Sequence, residues 1–383
     1  MREITAILSS YDSAKKEGRQ CVLATVVHVE GSSYRAAGAR MLVDEYGVVT
    51  GAISGGCLEG DALRKALLAL NQNRNKLVTY DTSDEDDAII GAQLGCNGII
   101  QVLFETIDPN EKHNPIELLR RAEESSDPAA LVSLFNLDKT KRQEGTACYI
   151  DRHGVCTGDI LDNALHEKIN EVAASAISRQ VNHFGEYRSE NVTVHAFIDV
   201  IPPPPTLVLV GAGNDSRVLS QMAEVLGWTI IVADGRPTHA NDKRFSSCQV
   251  VVTHPELILD NIEINERTAF VLMTHNYNYD LAVLKLLLNV NAIPYIGILG
   301  PNKKHQRMLG DLEKEDIHLT DKQTAKIFAP VGLQLGAETP AEIGLSILSE
   351  IQAVLSGSDV RHLRELSGPI HEKKQYEFKT IEL

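Results

Sequence analysis

A cysteine that follows two glycines is the strongest chemical signal in this sequence. The segment comprising residues 51–60 (GAISGGCLEG) joins a β-type run to a helical pattern that begins at about Cys57. The pattern predicts Cys57 in the first helical turn, where free N–H groups and the helix dipole favour a thiolate. Gly55 and Gly56 would let a large ligand approach the backbone closely. The alternative is a small buried cysteine at a tight strand–helix joint.

An internal repeat helps to separate these alternatives. Residues 38–53 align without gaps on residues 145–160, at an offset of 107, and seven of the sixteen positions are identical. Towards the end of the repeat the best offset becomes 93, so the second copy is about 14 residues shorter. We infer two copies of one α/β unit, at about 20–106 and 128–199.

The second copy lacks the residue types that could do chemistry in the first. At the offset of 107, Cys57 matches Ala164. The segments 31–33 (GSS), 55–57 (GGC) and 95–98 (GCNG) have no chemical equivalent in the second copy. The second copy keeps its scaffold without these segments. We infer that the segments bind a ligand and are not needed for folding. The candidate binding residues of this half are Ser32, Ser33, Arg35, Gly55, Gly56, Cys57, Glu59 and Cys96.

Several of these candidates have open alternatives. Arg35, flanked by small residues, could offer its guanidinium to a phosphate or carboxylate, or be a solvated loop arginine. Cys96 could be a second ligand-facing thiol or a buried residue ahead of a turn. Ser32 and Ser33 are turn-forming residues as well as hydrogen-bond donors.

A different pattern follows the proline run at residues 202–205, where we place a domain boundary. An apolar strand at 206–210 leads into a glycine turn at 211–213, a helix, and a second strand ending at Asp234, 23 residues after the first glycine. This is the order of a dinucleotide-binding fingerprint, although Ser216 replaces its third glycine or alanine. The helix N-terminus is still expected to hold a phosphate.

Strands and helices alternate through the rest of this half, which predicts a Rossmann-like, doubly wound parallel sheet. Ligands bind such sheets at the carboxyl ends of the strands, where His254 and His275 lie by construction. A capping or satisfied loop histidine is the alternative at both positions, and scattered histidines make a weak case for a metal. The candidate binding residues of this half are Gly211, Gly213, Asn214, Asp234, Arg236 and His275.

We therefore predict an α/β protein built from two domains. The first is an α/β domain at 1–200 that contains the internal repeat, and the second is the Rossmann-like domain at 206–357. Residues 358–383 form a polar C-terminal tail to which the sequence assigns no role.

Composition argues against several classes of function. The 383 residues carry a net charge of −15, which is unlike a general nucleic-acid or anionic-membrane surface. No apolar run reaches membrane-spanning length, and the N-terminus lacks a signal-peptide pattern. The six cysteines include no Cys-x-x-Cys pair, so they offer neither zinc-site nor iron–sulfur spacing. This cysteine usage suits a reducing cytoplasm.

Several motifs together resemble the XdhC/CoxI family, accessory proteins of molybdenum hydroxylases such as xanthine dehydrogenase. The resemblance covers nearly the whole chain. The motifs are residues 24–33 (ATVVHVEGSS), 38–41 (GARM), 54–59 (SGGCLE), 211–213 (GAG), 274–275 (TH) with Asp280, 297–300 (GILG) and 329–343 (APVGLQLGAETPAEI). The chain has Tyr34 and Asn214 where the family usually has proline and histidine.

The resemblance implies binding of the molybdenum cofactor, help with its sulfuration and protection, and its insertion into a xanthine dehydrogenase-type apo-enzyme. Carried over to matching positions, it implies that Cys57 contacts the cofactor and its metal, with Ser32, Ser33 and Arg35 in the matching loop. It further implies a cytoplasmic chaperone of purine catabolism rather than a catalyst. A cysteine desulfurase is an expected second partner, and a homodimer is the expected assembly.

Two other functions stay open at this stage. The Rossmann-like half is compatible with NAD binding, and hence with an NAD-dependent oxidoreductase or a xanthine dehydrogenase component. The chain shows no evident hydride-transfer site, which weighs against that function. A protein–protein adaptor would bind no small molecule with either half.

Overall fold

The computed structural model divides the chain into two compact units. It describes residues 2–31, 33–81, 98–138, 140–160, 162–188, 193–366 and 379–382. The first unit contains Arg2–Pro203 together with the end of the chain from Leu363, and the second contains Pro204–His362.

The first unit consists of helices and antiparallel sheet. Its elements up to the middle of the unit are α1 (Arg2–Lys16), β1 (Cys21–Gly31), β2 (Arg40–Asp44), β3 (Val49–Gly51), α2 (Glu59–Gln72), β4 (Lys76–Asp81), β5 (Gly98–Thr106) and α3 (Pro115–Glu124). They are followed by β6 (Ala129–Phe135), β7 (Gly145–Ile150), β8 (Cys156–Gly158), α4 (Asn163–Arg179), β9 (His183–Arg188) and β10 (Thr193–Ile201). A strand at Lys379–Glu382 pairs in parallel with β9.

The predicted internal repeat is confirmed by the topology of the two sheets. The first sheet has the strand order β3-β2-β1-β5-β4, and the second has the equivalent order β8-β7-β6-β10-β9. Both helices that follow the short third strand end in a left-handed residue, Asn73 in α2 and Gln180 in α4, which are 107 positions apart. The sequence comparison did not identify β9, which is the counterpart of β4 at the same offset.

The pairing of the final strands corrects the length estimate by one residue. Lys76 pairs with Phe104 in the first copy and His183 pairs with Ile198 in the second, so the offset falls from 107 to 94 rather than 93. The second copy is therefore 13 residues shorter, and the difference lies between Asp81 and Gly98 of the first copy. Strand pairing fixes this register, which apolar runs alone leave free to slip.

The two copies share hydrophobic packing. Three aromatic residues of the second copy, Phe135, Phe184 and Phe197, belong to the same buried cluster as β1, β2 and α2 of the first copy. The ring of Phe184 stacks on His28 of β1, with 4.0 Å between ring centroids. Burial of these large rings makes the repeated units parts of one core.

Each copy also places a buried carboxylate against a glycine of the other copy. A Cβ atom on Gly38 would lie 2.8 Å from Oδ1 of Asp199, and one on Gly145 would lie 2.7 Å from Oε1 of Glu105. Both glycines have positive φ angles, of 95° and 100°. Side chains at these positions would therefore be strained and would displace the carboxylates.

The two carboxylates have different partners. Asp199 accepts a hydrogen bond of 2.6 Å from the guanidinium of Arg40. Glu105 has no such ion pair with any residue that the structure describes, and it accepts from the N–H and Oγ1 of Thr146. Burial raises the pKa of Glu105 to about 7, although the hydrogen bonds from Thr146 and the charge of Arg40 act in the opposite direction.

We expect Glu105→Gln to remove part of the pH dependence of stability. A raised pKa means that the folded protein keeps the Glu105 proton at a pH where the unfolded chain has released it. The associated stabilisation is therefore complete below about pH 4.5 and is lost as the pH rises to about 7, a change on the order of 3 kcal/mol. Urea unfolding of wild type, Glu105→Gln and the exposed-site control Glu45→Gln between pH 4.5 and 7.5 measures this pH dependence of the free energy of unfolding. Parallel pH profiles for wild type and Glu105→Gln would contradict it.

The second unit has the predicted Rossmann-like fold. Its elements are β11 (Thr206–Val210), α5 (Asn214–Leu226), β12 (Thr229–Asp234), β13 (Gln249–Val252), β14 (Thr268–Leu272), α6 (Tyr277–Leu288), β15 (Tyr295–Ile298), α7 (Asn302–Lys314), α8 (Asp321–Ala325), β16 (Ile327–Phe328) and α9 (Pro340–Ser356). The order β13-β12-β11-β14-β15-β16 with parallel pairing is that of a doubly wound dinucleotide-binding sheet.

Alternate side chains of β11 explain why helices cover both faces of this sheet. Val208 and Val210 belong to one buried cluster with α6 and α7, whereas Leu207 and Leu209 belong to another with α5 and α9. A strand buried on both faces requires a continuous apolar run, which the sequence provides. Because helices cover both faces, ligands bind this fold at the edge of the sheet where the carboxyl ends of the strands lie.

Candidate functional site

The loop around Cys57 is organised by the hydroxyl of Ser54. This hydroxyl accepts hydrogen bonds from the N–H of Gly56 at 3.2 Å and of Leu58 at 3.1 Å, and it donates to the Glu59 carboxylate. The Cys57 thiol lies 3.5 Å from the same oxygen. Ser54 is buried, whereas Cys57 is exposed. The structure therefore presents Cys57 at the surface and does not enclose it in the core.

The predicted position of Cys57 inside the first helical turn is wrong. Helix α2 begins at Glu59, and Leu58 is its N-cap residue, so Cys57 precedes the helix. Gly56 adopts a φ of 110°, which a helix does not accommodate. Hydrogen bonds to Ser54 hold Gly56 and Leu58 in this loop, and they delay the start of the helix beyond what the apolar pattern indicated.

Glu59 closes this loop from the helix side. Its carboxylate accepts a hydrogen bond of 2.7 Å from the N–H of Ser54 in addition to the one from the Ser54 hydroxyl. Burial alone would raise the pKa of Glu59, but the hydrogen bonds from Ser54 outweigh it and hold the pKa below its usual value. Glu59 thus stays ionised and fixes the shape of the loop.

The neighbouring loop at 33–38 lies against the Cys57 loop. A Cβ atom on Gly55 would come within 3.0 Å of the Tyr34 ring, so this ring requires the glycine. The guanidinium of Arg35 forms an ion pair with Glu3, whose other carboxylate oxygen accepts from the N–H of Ala52 at 3.0 Å. Glu3 therefore ties both loops to helix α1.

The remaining candidates of the first unit have simpler outcomes. The hydroxyl of Ser33 donates to the carbonyl of Arg35 at 2.9 Å, as expected of a turn-forming serine. Ser32 and Cys96 lie outside the described residues. Among the residues that the structure describes, no group of three or more His, Cys, Asp or Glu side chains is arranged to hold a metal ion.

We expect Ser54→Ala to loosen the Cys57 loop. The substitution leaves the N–H of Leu58 uncapped and removes a donor from the Glu59 carboxylate, at a cost of about 1–2 kcal/mol in the free energy of unfolding. Urea unfolding tests this, with Ser33→Ala as the matched control because that hydroxyl makes only a local bond. Equal losses in the two variants would contradict a special role for Ser54.

The glycine turn of the second unit is held by Asp234. Its Oδ2 accepts a hydrogen bond from the N–H of Ala212 at 2.8 Å, and both of its oxygens accept from the side chain of Arg236. Burial would raise the pKa of Asp234, but the bonds from Arg236 and Ala212 hold it below its usual value. The carboxylate that was predicted to face a ligand therefore already has partners within the fold.

Close packing explains the sequence of the glycine turn. A Cβ atom on Gly211 would lie 2.7 Å from the backbone of Met273, at the end of β14. Gly213 is the N-cap residue of α5. The hydroxyl of Ser216 donates back to the carbonyl of Gly211 and is completely buried. Ser216 thus replaces the third glycine of the fingerprint without opening the helix–sheet contact.

Sequence reasoning missed two basic residues at this edge. Arg244 donates to the carbonyl of Ala212 at 2.9 Å and to Oδ1 of Asn214 at 3.1 Å, so Asn214 has a structural partner. Lys304 in α7 donates to the fully buried Asp280 at 2.7 Å. No periodic pattern marks either residue, because each reaches back to the edge from an element elsewhere in the sequence.

His275 also lies at this edge, three residues after the end of β14. It is exposed and has a φ of 59°, a left-handed conformation that is uncommon for residues other than glycine and asparagine. The turn is fixed by Thr274, whose hydroxyl donates to Asp280 at 2.6 Å and accepts from the N–H of Asn276. The buried Asp280 therefore holds both this turn and Lys304.

We expect Lys304→Met to destabilise the second unit strongly. It would leave the Asp280 carboxylate buried without its cation, a change that typically costs about 3–5 kcal/mol. Thermal or urea unfolding measures the loss, and Lys303→Met on the exposed side of α7 is the control. Adding Asp280→Asn to Lys304→Met should recover much of the stability. No recovery in the double variant would contradict the explanation.

The structure thus defines a two-unit α/β protein in which a duplicated unit presents an exposed cysteine, Cys57, and a Rossmann-like unit presents a glycine turn. Family models match both parts: the XdhC and CoxI family matches residues 14–81, and the XdhC Rossmann domain matches residues 207–351.

Individual relatives match over most of the chain. A probable xanthine dehydrogenase subunit from Bacillus subtilis is 31% identical over 341 residues, which span 89% of this chain and 94% of the relative. The molybdenum cofactor insertion chaperone PaoD from Escherichia coli is 22% identical, over 89% of this chain and 85% of the relative. A crystal structure described as a xanthine dehydrogenase from Bacillus halodurans has 27% identity and a TM-score of 0.73, covering 95% of this chain and 98% of that one.

These similarities establish the family. The chain belongs to the XdhC and CoxI family, as the motifs in its sequence indicated. Within the described residues, none of the helices combines the length and the apolar character needed to cross a membrane.

Proposed function

We propose that this protein is an accessory factor that binds the molybdenum cofactor and inserts it into a xanthine dehydrogenase-type enzyme. The exposed position of Cys57, in a loop whose second-copy counterpart has no cysteine, is the observation that carries the proposal. The relative named as a molybdenum cofactor insertion chaperone supports it.

The chemistry of the Cys57 loop fits a metal that arrives with its own ligands. A resident metal ion would need three or four protein ligands, and the described residues offer no such group. The molybdenum cofactor supplies a dithiolene to its metal, so one soft protein thiolate is enough to add a contact. Cys57 is such a thiol, and Gly56 directly before it has no side chain to block a large ligand.

The backbone beside Cys57 suits an anionic ligand. Among the described residues, no acceptor is bonded to the N–H groups of Gly55 and Cys57. A Cβ atom on Gly56 would meet nothing within 4 Å, so the space beside it is open. Oxygen atoms of the cofactor could accept from these N–H groups, as anions do at other N–H-lined turns. Arg35 is engaged by Glu3, so we assign it the positioning of the adjacent loop.

In this proposal the protein protects the cofactor, assists its sulfuration and then releases it to an apo-enzyme. A cysteine desulfurase is the proposed source of sulfur, and a homodimer is the proposed assembly. The exposed Cys57 loop suits a transient carrier because an acceptor protein can reach it without unfolding the core.

The alternative is an NAD-dependent oxidoreductase or a component of xanthine dehydrogenase itself. The Rossmann strand order favours it, as do two relatives whose names contain xanthine dehydrogenase. Against it, Asp234, at the position from which an acidic residue binds the ribose of NAD, is bonded to Ala212 and Arg236. Tight NAD(H) binding with turnover of a small substrate would favour this alternative.

Cofactor retention by Cys57→Ala tests the leading proposal. We expect the variant to retain at least about tenfold less molybdenum than wild type after incubation with the cofactor and gel filtration, because it lacks the thiolate contact. Cys248→Ala, which removes a half-buried thiol from the second unit, is the matched control and should retain as much as wild type. Equal retention by Cys57→Ala and wild type would remove Cys57 from the mechanism.

A further inference from the structure

The second copy of the repeat has a pair of cysteines that the first copy lacks. Cys148 lies in β7 and Cys156 lies in β8, at positions where the first copy has Met41 and Val49. The two strands pair in an antiparallel register that places Cys148 opposite Gly158 and Cys156 opposite Ile150. The cysteines are therefore diagonal neighbours on one face of the sheet.

Gly158 allows the two strands to come close at this point. Its φ is 123°, and a Cβ atom there would lie 2.8 Å from Cβ of Cys148. Both cysteines pack in the same hydrophobic cluster, together with apolar residues of helix α4. Cys148 is completely buried and Cys156 is half-buried at the edge of the same cluster, so only Cys156 is open to a reagent.

Helix α4 adds a histidine to this pair. His166 occupies the position of Glu59 in the first copy, and it is one of the groups that influence the pKa of Cys156. One turn further along α4, Oδ1 of Asn170 is buried, and neither it nor Nε2 of His166 has a hydrogen-bond partner among the described residues. These two polar atoms of α4 are thus buried without a partner among the described residues, which is unusual in a core.

The groups around Cys156 favour its thiolate. The neighbouring Cys148 thiol lowers the pKa of Cys156, and His166 lowers it further, whereas burial and the negative charge of Asp159 act to raise it. The pKa of Cys148 is raised by the neighbouring Cys156 and by burial. Cys248, the other half-buried thiol among the described residues, has a raised pKa because burial is the dominant influence on it.

We propose that Cys156 and Cys148 are a redox-active pair, in which Cys156 reacts with a peroxide and Cys148 resolves the product into a disulfide. The arrangement has a half-buried thiol, a buried resolving thiol diagonally across the strand pair in the same cluster, and a histidine that favours the thiolate. These are features of redox-sensing cysteines. The pair belongs to the second copy and does not depend on the role proposed for Cys57.

The reaction balances with hydrogen peroxide as the oxidant. The Cys156 thiolate attacks one peroxide oxygen, the O–O bond breaks, and the departing hydroxide takes a proton to form water, which leaves a sulfenic acid. The Cys148 sulfur then attacks the Cys156 sulfur, the S–S bond forms and the S–O bond breaks. The second hydroxide takes the Cys148 proton to form water. Two thiols are oxidised, and one peroxide is reduced to two waters.

Peptide mapping of the full-length protein tests the proposal directly. Trypsin can cleave after Arg142, Arg152 and Lys168, which places Cys148 in peptide 143–152 and Cys156 in peptide 153–168. After treatment of Cys57→Ser with a small molar excess of hydrogen peroxide at pH 7 and alkylation of remaining thiols, we expect these peptides to be linked, and dithiothreitol to separate them. Cys57→Ser is used so that a disulfide involving Cys57 cannot compete.

Two variants separate the roles of the cysteines. Cys148→Ser should stop at the sulfenic acid, so dimedone should label Cys156, whereas Cys156→Ser should leave Cys148 reduced. Without peroxide, Cys156 should react with iodoacetamide at pH 7 at least about tenfold faster than Cys248. His166→Gln should move the pH profile of this reaction to higher pH, a change that loss of packing alone would not produce.

Two results would overturn the proposal. One is the absence of linked peptides after peroxide treatment of protein that retains its native unfolding transition. The other is an alkylation rate of Cys156 no faster than that of Cys248, with a pH profile that His166→Gln leaves unchanged.

Discussion

The first unit depends on how the two copies of its repeat meet. Each copy buries a carboxylate against a glycine of the other, Asp199 against Gly38 and Glu105 against Gly145. The arrangement is nearly symmetric in position but not in charge, because Asp199 has the guanidinium of Arg40 as a partner and Glu105 has only the neutral Thr146. The charge of Asp199 is therefore compensated. The charge of Glu105 is avoided because this carboxyl group keeps its proton up to about neutral pH. The glycines are required at these positions because any side chain would occupy the space of the carboxylates.

Duplication frees one copy to change while the other supports it. Both copies retain the same strand order and the same left-handed helix ends at Asn73 and Gln180, so the scaffold does not depend on the Cys57 loop. In the first copy Ser54 and Glu59 shape a loop that exposes a thiol. In the second copy the thiols lie on the sheet instead, at diagonal positions of neighbouring strands and in one hydrophobic cluster. One scaffold thus presents an exposed thiol at Cys57 and a half-buried thiol at Cys156. The reactivities of these two thiols should differ because their environments differ.

Much of the fold could be predicted from the sequence, but the contacts within the candidate site could not. Alternating apolar runs and glycine turns located the strands of the second unit, and a gapless alignment located the repeat, because both follow from regular periodicity. The apolar pattern also placed the start of the helix at about Cys57. In the structure the helix starts at Glu59, after a loop in which the Ser54 hydroxyl accepts from the N–H of Leu58. The sequence placed Asp234 at the end of its strand correctly, yet it could not show that Arg236 and Ala212 would occupy its oxygens.

The occupation of Asp234 bears on what the Rossmann-like unit can bind. In a nicotinamide-binding sheet the acidic residue at this position needs a free oxygen for the ribose hydroxyls. Here one oxygen holds the glycine turn through Ala212, and both are bonded to Arg236, which neutralises the charge. A ligand that needed this carboxylate would have to break a charge-assisted pair, whereas a ligand recognised by its phosphate would need only the turn and the nearby basic side chains. The contacts of Asp234 therefore weigh against recognition of a ribose through this carboxylate.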